Sequence, residues 1–324
     1  MRTHMKLAAT ALAATSLMLS GCADTGGASD AEFKIGIIQL VQHPALDAAT
    51  EGFQTAFETA GIEAEFDVQN ANGEQATAAT IASSFASDAD IDLVLAVATP
   101  AAQSAASAIT DVPVLFTAVT DPVEADLVES LEAPGMNITG TTDLNPVADQ
   151  IELIKQIKPD VKSVGVVYSS GEVNSKVQVD LATEAAKKAG LKLETATVTN
   201  VGEIPTALDS LGDVDALYLP TDNTVISGLD AVLNYSDQKK IPVVSGDTDS
   251  VTGGATGTVG LNYNKLGEQT GEMAIRILKE NADPASMPVE SQSTFDLTLN
   301  KKAASNIGIE LPKELLDEAV EVIE

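Results

Sequence analysis

Apolar and polar positions follow a repeating order along most of the chain: a short apolar run, a polar turn, then a longer stretch with helical spacing. Phe33–Ile38 is a short run rich in β-branched residues, and the helical pattern after it stops at Ala60-Gly61. Glycine there is the usual left-handed end of a helix. Glu63–Val68 reads as a second strand. Leu93–Ala98 and Val112–Phe116 are apolar throughout, as strands of a parallel sheet covered on both faces should be.

The same order returns later. Val164-Gly165-Val166-Val167 mirrors Ile35-Gly36-Ile37-Ile38, and Ala189-Gly190-Leu191 mirrors Ala60-Gly61-Ile62. Gly36 to Gly61 and Gly165 to Gly190 are both 25 positions apart. Asp92–Thr99 matches Asp215–Thr221, and Val112-Pro113-Val114 matches Ile241-Pro242-Val243. Each of the last two runs leads to an acidic turn, Thr120-Asp121 or Thr248-Asp249. Matches in one consistent order predict an α/β protein of two similar lobes, each a doubly wound parallel sheet. Ligands of such sheets sit beyond the carboxyl ends of the strands, so two lobes facing each other would enclose a cleft.

The length of 324 residues agrees with two domains. Tryptophan is absent and aromatics make up 3%, so the cores must be built from aliphatic residues. The net charge of −30 excludes nucleic acid as an expected partner, because no basic stripe exists to displace phosphate counterions. The acids are spread along the chain as a solubilising surface. There is no Asp-x-Asp-x-Asp-Gly loop, no dinucleotide or phosphate-binding glycine motif and no zinc spacing, so neither cofactor nor metal is expected.

Arg2 and Lys6 precede an apolar run from Leu7 to Leu19 that ends in Leu19-Ser20-Gly21-Cys22. This describes a secretory signal over residues 1–21. The last four residues resemble the bacterial lipobox, which implies lipidation of Cys22, the only cysteine. Residues 22–32 are small and polar, as a flexible tether is. The working part is then extracytoplasmic and anchored to the membrane.

Candidate site residues lie in the loops after strands. Thr99 and Pro100 open an Ala-rich helix; Thr99 either caps it or offers its hydroxyl beside free backbone N–H groups to an anionic ligand. Thr117 and Asp121 repeat that design, with Asp121 either a cap or a ligand contact. Ser169, Ser170, Asn174 and Ser175 suit a carboxylate. Asp222, with Asn223, and Asp247 are the acids available to a ligand ammonium, whose charge requires a partner when buried. Gln39 and His43 follow the first strand. His43 reads as a lining residue rather than a catalyst, since no nucleophile context accompanies it.

The stretches Gln42-His43-Pro44-Ala45-Leu46-Asp47, Ala98-Thr99-Pro100-Ala101-Ala102-Gln103, Phe116–Pro122, Pro220-Thr221-Asp222-Asn223 and Gly246-Asp247-Thr248-Asp249 resemble the tryptophan-type branch of ABC-transporter substrate-binding lipoproteins. The resemblance runs from about Phe33 to the C-terminus. It implies a periplasmic-binding-protein type I fold, a hinged cleft, an aromatic amino acid as ligand and an ABC permease as partner. By position it places Thr99, Thr117, Ser169, Asn174 and Ser175 at the ligand carboxylate, and Asp222, Asn223 and Asp247 at the ammonium. Ser169-Ser170 departs from the Asn-Ser of that pattern. Phe116 and Tyr168 are the rings at hand for stacking.

The expected organisation is lobe one at 33–144 plus 263–287 and lobe two at 145–262 plus 288–324, with crossings near Asn145, Leu261 and Pro288. The expected function is a non-enzymatic solute receptor that closes on its ligand. A sugar, nucleoside or other small solute on the same fold, a sensor domain, and an extracellular enzyme are the alternatives.

Overall fold

A computed structural model describes residues 31–324. The signal segment, Cys22 and all but the end of the tether lie outside the described residues. The first lobe runs β1 (Phe33–Gln39), α1 (Pro44–Ala60), β2 (Ala64–Asn70), α2 (Gln75–Ser87), β3 (Leu93–Val97), α3 (Thr99–Ala108), β4 (Val114–Val119) and β5 (Ile138–Thr142). The second runs α4 (Val147–Ile157), β6 (Ser163–Ser169), α5 (Val173–Ala189), β7 (Lys192–Val198), α6 (Ile204–Ser210), β8 (Ala216–Leu219), α7 (Asn223–Ser227), α8 (Leu229–Lys239), β9 (Val243–Ser245), α9 (Thr248–Gly253) and β10 (Gly257–Gly260). The chain returns to the first lobe with α10 (Tyr263–Glu280) and β11 (Glu290–Ser291). It finishes in the second with β12 (Asp296–Asn300), α11 (Lys301–Asn306), α12 (Lys313–Glu318) and β13 (Glu321–Ile323).

The first sheet has the order β2-β1-β3-β4-β5-β11 and is parallel throughout. The second has the order β7-β6-β8-β9-β10-β12-β13. Here the structure departs from an all-parallel sheet: β12 is antiparallel to β10, and β13 runs with β12. The reason is the path of the chain. β10 leaves for the hinge at Gly260, and β12 comes back from it at Asp296, the residue paired with Gly260.

The repeated glycines have repeated jobs. A Cβ on Gly36 would lie 2.8 Å from the Phe85 ring, and one on Gly165 would lie 2.8 Å from Leu211. Each glycine thus lets a side chain from the helix after the edge strand, Phe85 of α2 in lobe one and Leu211 at the end of α6 in lobe two, press onto the first strand of the repeat. Gly61 and Gly190 end α1 and α5 at φ 68° and 74°, a backbone region open to glycine. Phe66 packs edge-on against Phe53 and Phe57 at 6.3 and 5.6 Å in the first core, and those two rings are tilted to each other at 5.4 Å.

Three crossings join the lobes. Asn145 Oδ1 accepts from Leu261 N at 3.4 Å, and Gln292 accepts from Asn262 N and donates to Asn262 O, so the crossings are tied to one another. The last falls beyond Ser291, because β11 still pairs with β5. The expected crossing near Pro288 is therefore moved a few residues on.

Candidate functional site

In each lobe the five leading strands take the order 2-1-3-4-5, whose switch point lies between the first and third. The strand ends at these points are Gln39 and Val97 in lobe one, and Ser169 and Leu219 in lobe two. A cavity of about 250 Å³ lies between them, lined by Leu40, Val41 and Pro100 on one side and by Ser169, Glu172 and Asn223 on the other. Small-ligand pockets start at about 300 Å³, so the space suits a compact solute.

Two side-chain hydrogen bonds cross the cleft. His43 Nδ1 accepts from Leu46 N and caps α1, so Nε2 carries the proton and donates to Asn223 Oδ1 at 3.4 Å. Asn223 Nδ2 in turn donates to Glu172 at 2.6 Å. Farther along, Gln178 donates to Thr120 Oγ1 at 3.4 Å, and Thr120 donates to Asp143.

Thr99 does not cap α3. The cap is Ala98, held at φ 84°, and Thr99 falls in the first helical turn with its hydroxyl buried and partnerless. Ala98 and Ala118 (φ 57°) are non-glycine residues in a costly backbone region, which fold architectures retain chiefly at functional turns. Asn174 is 3% exposed and its Oδ1 also has no partner. These are the two such buried side-chain atoms among the described residues.

Other expected contacts go elsewhere. Gln39 spends its amide on Val41 O, Asp47 and Thr50, holding the β1–α1 loop. Thr117 accepts from Thr141, which bonds Thr270 of α10, so its hydroxyl faces the lobe interior. Asp121 caps its own turn through the Val123 and Glu124 N–H groups. Ser170 is exposed. Phe116 is fully buried in the first core and Tyr168 packs on the second, so neither is among the cavity-lining residues. Asp222 and Asp247 are buried caps of α7 and α9: Asp222 accepts from Ser169 N and Val225 N, Asp247 from Ser250 N and Oγ. Ser175 donates to Asp222.

Glu172 was not among the expected residues, although it lies between Ser170 and Asn174 in the chain. It accepts from Asn174 Nδ2, from Asn223 N and Nδ2, and from Thr224 N and Oγ1. Asp143 is the other addition, buried between Thr120 and the Tyr263 hydroxyl.

Burial, together with the Glu172 charge, pushes the Asp222 carboxyl from its ordinary 3.8 to about 7. Burial and Asp247 raise Asp249 to about 6. Burial also raises Asp143 and Asp247, and lowers His43. The charges felt by Asp222, Asp247 and Asp249 are those of other acids. From their ordinary 3.8 up to about 6 for Asp249 and about 7 for Asp222, the folded protein holds protons that the unfolded chain has lost, and the raised Asp143 and Asp247 act in the same direction, so stability falls as pH rises. His43 opposes this, since only the unfolded chain protonates it below its ordinary 6.5. Four acids outweigh one imidazole. Thermal unfolding without ligand is expected to give a higher Tm at pH 5 than at pH 7.5, and a higher value at pH 7.5 would refute the balance.

No helix among the described residues is long and apolar enough to cross a membrane. The family described as ABC transporter substrate binding protein matches residues 34–323. The tyrosine-binding protein of Clostridioides difficile (strain R20291) is 40% identical over 299 residues, 88% of this chain and 86% of its own. A Streptococcus pneumoniae ABC domain solved in complex with L-Trp superposes with a TM-score of 0.86 at 40% identity, covering 90% of this chain and 99% of that one. The ligand-free, open structure of a substrate binding protein with adhesive properties from Clostridium difficile gives 0.68 at 42% identity over the same shares. With a family match across almost all of its described length, two type I lobes and a polar cleft at both switch points, the chain belongs to the extracytoplasmic substrate-binding proteins of ABC transporters.

Proposed function

We propose that the protein captures an aromatic amino acid, tyrosine or tryptophan, between its lobes and delivers it to an ABC permease while tethered through lipidated Cys22. The observation that carries this reading is the pair of orphaned polar atoms, Thr99 Oγ1 on lobe one and Asn174 Oδ1 on lobe two. Buried polar atoms are nearly always hydrogen-bonded, and an exception calls for a missing partner. A solute that satisfies both holds the lobes together. The relative named for tyrosine binding and the structure solved in complex with L-Trp support the ligand class. At matched identity and coverage, the drop in TM-score from the L-Trp complex to the open, ligand-free structure supports a closed arrangement here. Leu40, Val41, Pro100 and Val201 offer an aliphatic wall for the ring.

Calorimetry with L-tyrosine, L-tryptophan and ribose tests the ligand; response to ribose alone would end the amino-acid reading. Thr99→Val supplies an internal check. It removes a partnerless hydroxyl, so the ligand-free protein should gain about 1 kcal/mol of stability while affinity falls about tenfold. Unchanged affinity would remove Thr99 from the site. Cys22→Ser should move the protein from the membrane to the soluble fraction, and retention there would count against the tether.

A further inference from the structure

One of the two bonds that cross the cleft runs through residues the cavity does not touch. Gln178 of α5, in lobe two, and Thr120 of lobe one are not among the cavity-lining residues. Both are buried, at 0% and 2% exposure. Gln178 Oε1 accepts from Thr221 N at 3.0 Å, and a backbone N–H only donates. That contact fixes which way the amide points. Nε2 is then the donor to Thr221 Oγ1 at 2.6 Å, to Asn174 O at 3.3 Å and to Thr120 Oγ1 at 3.4 Å. Thr120 must therefore accept across the cleft.

The far end of the chain of bonds is fixed as well. The single Thr120 hydroxyl proton goes to Asp143 Oδ1 at 2.9 Å, and the Tyr263 hydroxyl donates to Asp143 Oδ2 at 2.5 Å. Burial and the neighbouring acids keep Tyr263 protonated, so it has a proton to give. With its own proton held by Asp143, Thr120 Oγ1 turns a lone pair toward lobe two. Without an acceptor at position 143 the hydroxyl is free to point its proton at Gln178 Nε2, donor against donor. Asp143 and Tyr263 also flank the hinge. Asp143 stands two residues before the crossing at Asn145, and Tyr263 two residues after the crossing at Leu261. Those crossings are joined to each other through Asn145 Oδ1. The brace behind Thr120 is thus anchored where the chain passes between lobes.

We propose that Asp143 and Tyr263 are positioning residues for closure: they aim Thr120 Oγ1 at Gln178 and so form a hinge-side latch that holds the lobes together without touching the ligand. The latch adds to the affinity for every solute alike, while selection among solutes stays with the cavity. It also gives the ligand-free protein a share of closed molecules, which a solute then enlarges. One neutral hydrogen bond is worth roughly threefold to tenfold in the ratio of closed to open molecules.

Small-angle X-ray scattering of the ligand-free protein, fitted to open and closed forms, reads that ratio. Thr120→Val keeps the shape of the side chain and removes its hydroxyl, so the closed-to-open ratio is expected to fall roughly threefold to tenfold. Thr120→Ser should restore it. Asp143→Ala should behave like Thr120→Val, whereas Asp143→Asn, whose Oδ1 still accepts from Thr120, should stay near the parent. Release of L-tryptophan, followed by indole emission because the chain has no tryptophan of its own, should quicken in Thr120→Val by the same factor. A lower Tm for Thr120→Val with an unchanged ratio would mark the hydroxyl as merely structural and overturn the latch. An unchanged ratio in Asp143→Ala would overturn it too. Should Thr120→Val fail to fold, Gln178→Glu decides, since it keeps an acceptor for Thr221 N but turns a second acceptor to Thr120; a ratio equal to the parent's would end the proposal. The scattering measurement needs no ligand. A protein that binds neither tryptophan nor tyrosine yet opens in Thr120→Val would sink the amino-acid reading and leave the latch standing.

Discussion

Gly267→Ala is expected to lower the stability of the protein by about 3 kcal/mol, at the upper end of ordinary overpacking. A Cβ at this position would sit 2.0 Å from Ala49 O and 2.9 Å from Phe53 N, both backbone atoms of α1. Gly52 faces the same interface, where a Cβ would lie 2.0 Å from Asn264 O of α10. Neither obstacle is a side chain that can turn away, so the helices must separate. Alanine's better helix propensity returns only about 1 kcal/mol. At about 2–4 °C per kcal/mol for a large domain, the Tm should fall by roughly 6–12 °C. Gly61→Ala is the contrast, since its Cβ would meet nothing within 4 Å and only the left-handed backbone at φ 68° resists. A Tm for Gly267→Ala equal to that of the parent would refute the close packing of α1 on α10. Ligand affinity should fall too. His43 opens α1 and Tyr263 opens α10, so parting the helices displaces both the cross-cleft bond to Asn223 and the support of Asp143.

Removing Glu172 should cost nearly as much. Its carboxylate accepts five hydrogen bonds at 2.6–3.1 Å, from Asn174, Asn223 and Thr224. Glu172→Ala leaves two backbone N–H groups, two side-chain amides and the Thr224 hydroxyl without this acceptor, at an expected loss of about 3 kcal/mol. Glu172→Gln is not expected to rescue, because one of its two terminal atoms becomes a donor facing donors. Denaturant unfolding of both variants measures this. A Gln variant as stable as the parent would mean that the five bonds do not require two accepting oxygens. With Glu172 gone, Asn174 Nδ2 keeps only Thr221 O and Ser175 Oγ, and its free oxygen loses its fixed direction. Amino-acid affinity should therefore drop in both variants, through positioning rather than contact.

The lobes, their repeat and the loops that face the cleft were legible in the residues, because each depends on local periodicity. Val164–Val167 repeats Ile35–Ile38 because both are central strands under a helix side chain. His43 and Asn223 were reached by position after a strand, and their side chains meet across the gap. Thr117 turns its hydroxyl to Thr141 for a specific reason. The pairing of β4 with β5 slips between Phe116 and Val119, where Ala118 takes φ 57°. That irregularity turns Thr117 inward and leaves Thr120 to meet Gln178 across the cleft. Simple alternation has no way to register it. Asp222 and Asp247 looked like unpaired acids, but short helices begin directly after them and use their oxygens as caps.

What the order of residues determined by itself was an architecture: two wound sheets, glycines where helices press on strands, and polar turns at the carboxyl edges. Such features are set by neighbours a few positions away. Which polar atom stays unpaired was decided only by the fold. The amide of Asn174 is claimed by Thr221, 47 positions along the chain, and His43 meets Asn223 across 180. A hydrogen bond saturates, so the atom left over for a ligand is known only after every distant partner has taken its share.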